Sequence, residues 1–336
     1  MRLMRRLLLG SGFLLFIAVL GIGALVGPFY ARVQHFAADP AAGYHSDFYV
    51  YVSPDAERAA ADGRVATVLV QPNNSGTNSD DASVHRRDAW WTTYGRSKVA
   101  DDLGVVLVVP AFPRPAVDWK VYTHALDRDV LTTTRADLAR LDLQLLAMVD
   151  QARARLAADG IPSRPRLLLQ GYSASGMFTN RFAALHPRRV LAVAAGSPGG
   201  WPIAPSTLPA SRDLPYPAGT ADLVALTGAA FDAQAWRKLP QLLVMGDRDD
   251  NDSLDFGDGW DKAAAAQVDR RFGDEPQARW QAAQRLYAEA GANARFELVE
   301  GVGHDRRALQ PLTTEFFRKV LAEQSVPANA TVAAAE

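Results

Sequence analysis

Ser173 is the residue around which chemistry can be built. It sits in Gly171-Tyr172-Ser173-Ala174-Ser175-Gly176, after the apolar run Arg166–Gln170 and before a helical pattern that runs from about Ser175 to His186. A sharp strand-to-helix turn holds its central residue in strained dihedrals and brings the flanking positions almost into contact, so small side chains are needed two before and two after. Gly171 and Ser175 meet that need; Ser175 replaces the usual last glycine of G-x-S-x-G, and Gly176 follows. Such a turn presents the Ser173 hydroxyl at a sheet edge. The helix N-terminus behind it, with the Ala174 N–H, favours a developing oxyanion. Ser175 is a poor alternative nucleophile because bulky Met177 lies two residues after it.

A hydroxyl of ordinary basicity needs a base, and the base needs an orienting carboxylate. Around this kind of turn they follow in the order serine, acid, histidine. The run Gln241–Met245 leads into Gly246-Asp247-Arg248-Asp249-Asp250-Asn251-Asp252, which puts Asp249 at a G-x-x-D position with Asp252 as the alternative acid. A calcium loop would want glycine at its sixth position, held here by Asp252 if counting starts at Asp247. No metal and no cofactor is therefore expected. His304 follows the last apolar run, in Gly301-Val302-Gly303-His304-Asp305. The other histidines lie outside the required place in the order. His186, before Pro187 at a helix end, reads as a surface residue, and His124 lies in a loop from which it could reach the pocket. Tyr172 and Trp201, which follows the strand after the turn, are the remaining pocket candidates. A second oxyanion donor would come from Asn73 or Asn74, through a backbone N–H or an amide; the same stretch also suits a turn capping the next helix.

These residues need a frame that brings distant segments to one edge. Short, nearly continuous apolar runs at Phe48–Val52, Val65–Val70, Val105–Val109, Arg166–Gln170, Val190–Ala194, Gln241–Met245 and Arg295–Val299 suit strands buried on both faces. Helical periodicity fills the gaps. It runs from Thr134, with Asp137 at capping-box spacing, to Asp159, and also from about Asp81 to Lys98 and from Gln277 to Ala290. The alternation predicts an α/β fold with a mostly parallel sheet covered by helices on both faces. Residues 197–238, rich in Pro and Gly, and the acidic stretch 253–275 break the rhythm; the first is expected as a cap-like insertion.

From Phe48 to about Val320 the chain resembles the α/β-hydrolase superfamily, nearest its esterase and polyhydroxyalkanoate-depolymerase-like branches. The resemblance implies Ser173 as nucleophile, Asp249 as acid, His304 as base and the Ala174 N–H as one oxyanion donor. Ester hydrolysis through an acyl-enzyme is the activity implied, on a small-molecule or polymeric ester. Amide or peptide hydrolysis by the same triad is one alternative, and a non-catalytic binding module is another.

The chain has 336 residues, 48% hydrophobic and 22% charged, with a net charge of −1. That balance is globular and gives no reason to expect a nucleic-acid partner. With no cysteine, disulfides and thiolate catalysis are excluded. Residues 1–6 are basic, and Leu7–Gly27 carries no charge over a length that can cross a bilayer as a helix. A transmembrane signal-anchor is expected there, with Arg2, Arg5 and Arg6 holding the N-terminus in the cytoplasm and the catalytic domain outside. Secretion after cleavage is the alternative. Residues 28–45 read as a linker, 46–325 as the hydrolase domain and 326–336 as a flexible tail.

Overall fold

The computed structural model describes residues 27–255 and 259–325. Its strands are β1 (Val33–Phe36), β2 (Phe48–Val52), β3 (Val68–Val70), β4 (Val106–Pro110), β5 (Leu167–Tyr172), β6 (Val190–Gly196), β7 (Gln241–Gly246) and β8 (Ala294–Val299). They form one 8-stranded sheet in the order β1-β2-β4-β3-β5-β6-β7-β8. β2 runs antiparallel to both β1 and β4, and the pairs from β4–β3 across to β7–β8 are parallel. Helices α1 (Pro54–Ala61), α2 (Ala82–Leu103), α3 (Asp129–Thr132), α4 (Leu141–Ala158), α5 (Ala174–Leu185), α6 (Leu223–Thr227), α7 (Ala233–Lys238), α8 (Lys262–Phe272), α9 (Pro276–Glu289) and α10 (Arg306–Ser325) lie between and after them.

Strand side chains alternate between the two faces of the sheet, and the core divides accordingly. Val68, Val70, Val106, Val108 and Leu169 pack with Leu145 and Met148 of α4 and Phe178 and Phe182 of α5. Leu69, Leu107, Leu168 and Val244 point the other way, onto Ala89 and Val99 of α2 and Phe317 of α10. Burial on both sides is why these strands are apolar throughout rather than alternating.

Three expectations are corrected. Residues 28–45 are not merely a linker. They contain β1, whose Val33–Phe36 pair with Phe48–Tyr51, and Phe29, which is buried. As an edge strand it has no neighbour on its outer side, and its Val33 and Phe36 are only partly buried, one on each face of the sheet, so it shows no continuous apolar run. The helix expected from Thr134 starts at Leu141 instead. Arg140 takes φ 51 and donates its N–H back to the Val130 carbonyl at 2.7 Å, while Arg135 grips Asp137, so residues 133–140 close as turns. His186 is no surface residue: it hydrogen-bonds the wholly buried Asp142 at 2.8 Å.

Residues 197–238 build a third apolar cluster with α8 and α9, through Trp201, Leu214, Ala218, Val268 and Leu286. The expected membrane span lies outside the described residues except for Gly27, as does the tail 326–336. Among the described residues no helix is long and apolar enough to cross a membrane.

Candidate active site

β5 ends at Tyr172 and α5 begins at Ala174, leaving Ser173 alone in the turn with φ 58 and ψ −127. A non-glycine residue in that region is strained, and the surroundings hold it there. The Ser173 N–H donates to the Gly196 carbonyl of β6 at 2.9 Å, and its own carbonyl accepts from the Met177 N–H at 2.9 Å. A Cβ on Gly171 would lie 2.0 Å from the Ser175 carbonyl oxygen, and one on Gly176 would lie 2.5 Å from the Gly196 oxygen. The small-residue requirement therefore falls on Gly171 and Gly176. Ser175 is tolerated because its hydroxyl is put to use, accepting from the Tyr172 N–H at 3.0 Å and donating to the Tyr172 carbonyl at 2.9 Å.

The loops after β7 and β8 are zipped together. Arg248 donates its N–H to the Val302 carbonyl at 3.0 Å, and the Gly301 N–H donates to Asp247 Oδ1 at 2.8 Å. Gly246 has no room for a side chain, since a Cβ there would lie 2.0 Å from the Val302 oxygen. This contact sets His304 Nδ1 3.0 Å from both Asp249 oxygens. Asp249 is 2% exposed, whereas the imidazole keeps 26% of its side-chain surface open. Burial alone would push the Asp249 carboxyl up, but the hydrogen bond from His304, the nearby Ser197 hydroxyl and the imidazole's charge outweigh it and hold it below the usual range. With Nδ1 occupied by the carboxylate, Nε2 is the nitrogen left for a reacting group. Tyr172 lays its ring 4.7 Å from that of His304. The Ser173 hydroxyl and the His304 ring form no hydrogen bond with each other here.

Asp252 faces elsewhere. It pairs with Arg279, which also holds Asp269 at 2.5 Å, and its Oδ1 accepts from the Leu254 N–H at 3.1 Å. No group of His, Asp and Glu among the described residues could hold a metal ion.

Both asparagine amides are oriented by one donated hydrogen bond each. Asn73 Nδ2 donates to the Phe112 carbonyl at 2.8 Å and Asn73 Oδ1 accepts from the Phe112 N–H at 3.2 Å; Asn74 Nδ2 donates to the Tyr172 carbonyl at 3.0 Å. Their backbone N–H groups, and the second N–H of the Asn74 amide, remain as candidate donors beside the N–H of Ala174, which in the first turn of α5 has no intrahelical acceptor. Trp201 is 1% exposed, stacks on Phe272 and donates its indole N–H to the Ala218 carbonyl at 2.8 Å. His124 is fully buried, edge-on to Tyr122, and burial and Arg114 push its pKa down to about 3, so it stays neutral. Neither residue lines the cleft beside the turn.

That cleft has a volume of about 360 Å³ and runs between the Gln71–Ser75 loop, one face of α2, Tyr172 and Arg306. Its polar lining was not anticipated. The available signal was Arg96, a charge set into the buried α2 stripe of Ala89, Thr93, Val99 and Ala100.

No protein-family model and no curated protein matches the chain. Among solved structures, the chain is similar to poly(aspartic acid) hydrolase-1 from Sphingomonas sp. KT-1, at 18% identity over 84% of this chain and 97% of that one, with a TM-score of 0.54. It is also similar to LpqC, a poly(3-hydroxybutyrate) depolymerase from Bordetella parapertussis, at 20% identity over 92% and 96%, with a TM-score of 0.52. These likenesses, with the strand order above, show the α/β-hydrolase fold.

Proposed function

We propose that the chain is a serine hydrolase that cleaves carboxylic esters through an acyl-enzyme. The observation that supports this is the strained Ser173 turn, whose Tyr172 ring lies 4.7 Å from that of His304, together with His304 Nδ1 on Asp249 at 3.0 Å. In the reaction, Ser173 Oγ attacks the ester carbonyl as its proton passes to His304 Nε2. Asp249 holds the tautomer that leaves Nε2 free and stabilises the imidazolium. The N–H groups of Ala174 and Asn74 receive the oxyanion. The imidazolium then protonates the leaving alcohol, and water deacylates Ser173 by the same route in reverse. The two structural neighbours, named for hydrolysing polymers, lend support to a polymeric or oligomeric substrate.

The test is direct. The full-length protein hydrolyses short nitrophenyl esters, a fluorophosphonate probe labels Ser173, and Ser173→Ala removes both while the circular dichroism spectrum is kept. Labelling of Ser175 would overturn the assignment; absence of any labelling or turnover would favour a binding module.

The N-terminal segment adds a place to the activity. We propose that Leu7–Gly27 anchors the protein in a membrane with the hydrolase domain on the outer face, on the strength of its length, its lack of charge and the arginines before it.

A further inference from the structure

Arg96 is 6% exposed and has no carboxylate partner among the described residues; its contact is the Gln310 side-chain oxygen. Burial, and then the charge of Arg306, lower its pKa to about 9. A buried cation left without a counter-charge is costly, and such charges are ordinarily paired. Arg306 makes matters worse. It is the first residue of α10, where the helix dipole disfavours a positive charge, and it forms no hydrogen bond or ion pair among the described residues. Nearby Asp305 does not neutralise it through a salt bridge; its carboxylate accepts from the Arg307 N–H at 2.7 Å. Both arginines line the cleft beside the Ser173 turn, together with Tyr172 and Ser175. In a small cavity that both arginines also line, Gln170 Nε2 is a buried donor with no partner. Two guanidinium groups, a helix N-terminus and an orphan amide donor thus converge with nothing negative between them. The one carboxylate in the cleft, Asp88, stands two turns up α2 from Arg96, about 12 Å along the axis.

We propose that this end of the cleft is a carboxylate-binding subsite, so that the esters this protein takes carry a negative charge. The inference rests on the hydrolase reading, because the charge is placed relative to Ser173. Guanidinium groups bind carboxylates through charge-assisted, often bidentate hydrogen bonds, and Arg96 and Arg306 both line the cleft where a carboxylate would sit. An acidic polyester or an oligomer ending in a free acid has this chemistry.

The experiment uses the full-length protein in detergent. Nitrophenyl monoesters of linear dicarboxylic acids, from glutarate to suberate, are compared with neutral nitrophenyl esters of equal length, and acetyl esters of hydroxybenzoates with phenyl acetate. At least one acidic ester has the higher kcat/KM, mainly through KM. That preference ratio falls about tenfold or more in Arg306→Gln and in Arg96→Gln, and Arg306→Lys retains part of it. Because Arg96→Gln disturbs a buried position, the exposed Arg306 variants decide if Arg96→Gln does not fold. Calorimetric titration of adipate into Ser173→Ala protein reads the subsite without turnover, and Arg306→Gln weakens that binding. Neutral esters preferred throughout, or a ratio and adipate affinity indifferent to Arg306, overturns the subsite. No turnover of any ester, with adipate binding that depends on Arg306, means that the hydrolase reading fails while the anion subsite stands.

Discussion

Asp249 and Asp252 share one loop and are both buried, yet they answer to different partners. Asp249 spends both oxygens on His304, and Asp252 spends its own on Arg279 and a backbone N–H. Asp249→Asn keeps the shape but favours the wrong imidazole tautomer, so kcat should fall by up to about 10⁴ with the fold intact. Asp252→Asn should leave kcat within a few-fold and instead lower unfolding stability by up to about 3 kcal/mol, since Asp269 still partners Arg279. Steady-state kinetics and urea melts on the same two variants separate the roles. A third aspartate gives a pH signature. Burial pushes Asp142 up, but hydrogen bonds from His186 and Arg140 and their charges outweigh it, and its carboxyl lies below the usual range. A depressed carboxyl stabilises the fold fully above the unfolded value of about 3.9 and loses that contribution as pH falls toward its folded value. Asp142→Asn should therefore cost about 3 kcal/mol at pH 7. The gap to the unsubstituted protein should narrow below about pH 4, as followed by denaturant melts across that range.

At the scale of elements, the edge of the sheet matters more than its length suggests. β1 pairs with β2 along Val33–Phe36, Phe36 stacks on Phe48 at 4.5 Å, and Phe29 stacks on Tyr51 at 5.5 Å. Burying a phenylalanine contributes roughly 1.5–3 kcal/mol. A fragment starting at Tyr44 should thus be several kcal/mol less stable than one starting at Gly27, or fail to fold, in matched urea titrations; equal midpoints would show β1 to be dispensable. This strand was illegible in the sequence because Val33-Gln34-His35-Phe36 is short, carries only one apolar residue per face, and its neighbours carry Pro and Gly. The seven strands it flanks were legible, each within a few residues: burial on both faces makes the inner ones near-continuous apolar runs, and the far edge strand β8 shows through Phe296, Leu298 and Val299 instead. The Ser173 turn was legible for a related reason: backbone closeness shows in the sequence as missing side chains. What could not be read was whatever depends on pairs distant in the chain. Arg96 with Arg306, Asp142 with His186, and Asp252 with Arg279 each join segments whose approach only the folded chain sets.

For the whole molecule, the proposed anchor and the described domain meet at Gly27. There Phe29 and Tyr30 gather against Trp90 and Tyr94 of α2, with Trp91 beside them. Tyr30 and Trp91 are each 57% exposed. Tryptophan and tyrosine favour the headgroup region of a bilayer, and this cluster would lie at that level if the span is retained. The full-length protein should sediment with membranes and resist extraction by high salt, and a reporter fused after Glu336 should be active only on the outer side. A shortened, freely soluble product would mean that the segment is a cleaved signal.

Trp91 has one more property. Of the chain's 7 tryptophans only Trp91 is more than half exposed, and it stands on the wall of the cleft that Tyr172 and Ser175 also line. Its indole is the one in most contact with water, so the red edge of the emission spectrum belongs chiefly to it. Trp90, 4.7 Å away and edge-on, feeds excitation toward it. A ligand entering the cleft should displace water from that ring and move its emission toward the blue, which a fluorescence titration would read. The molecule thus carries its own optical gauge of occupancy, without a label.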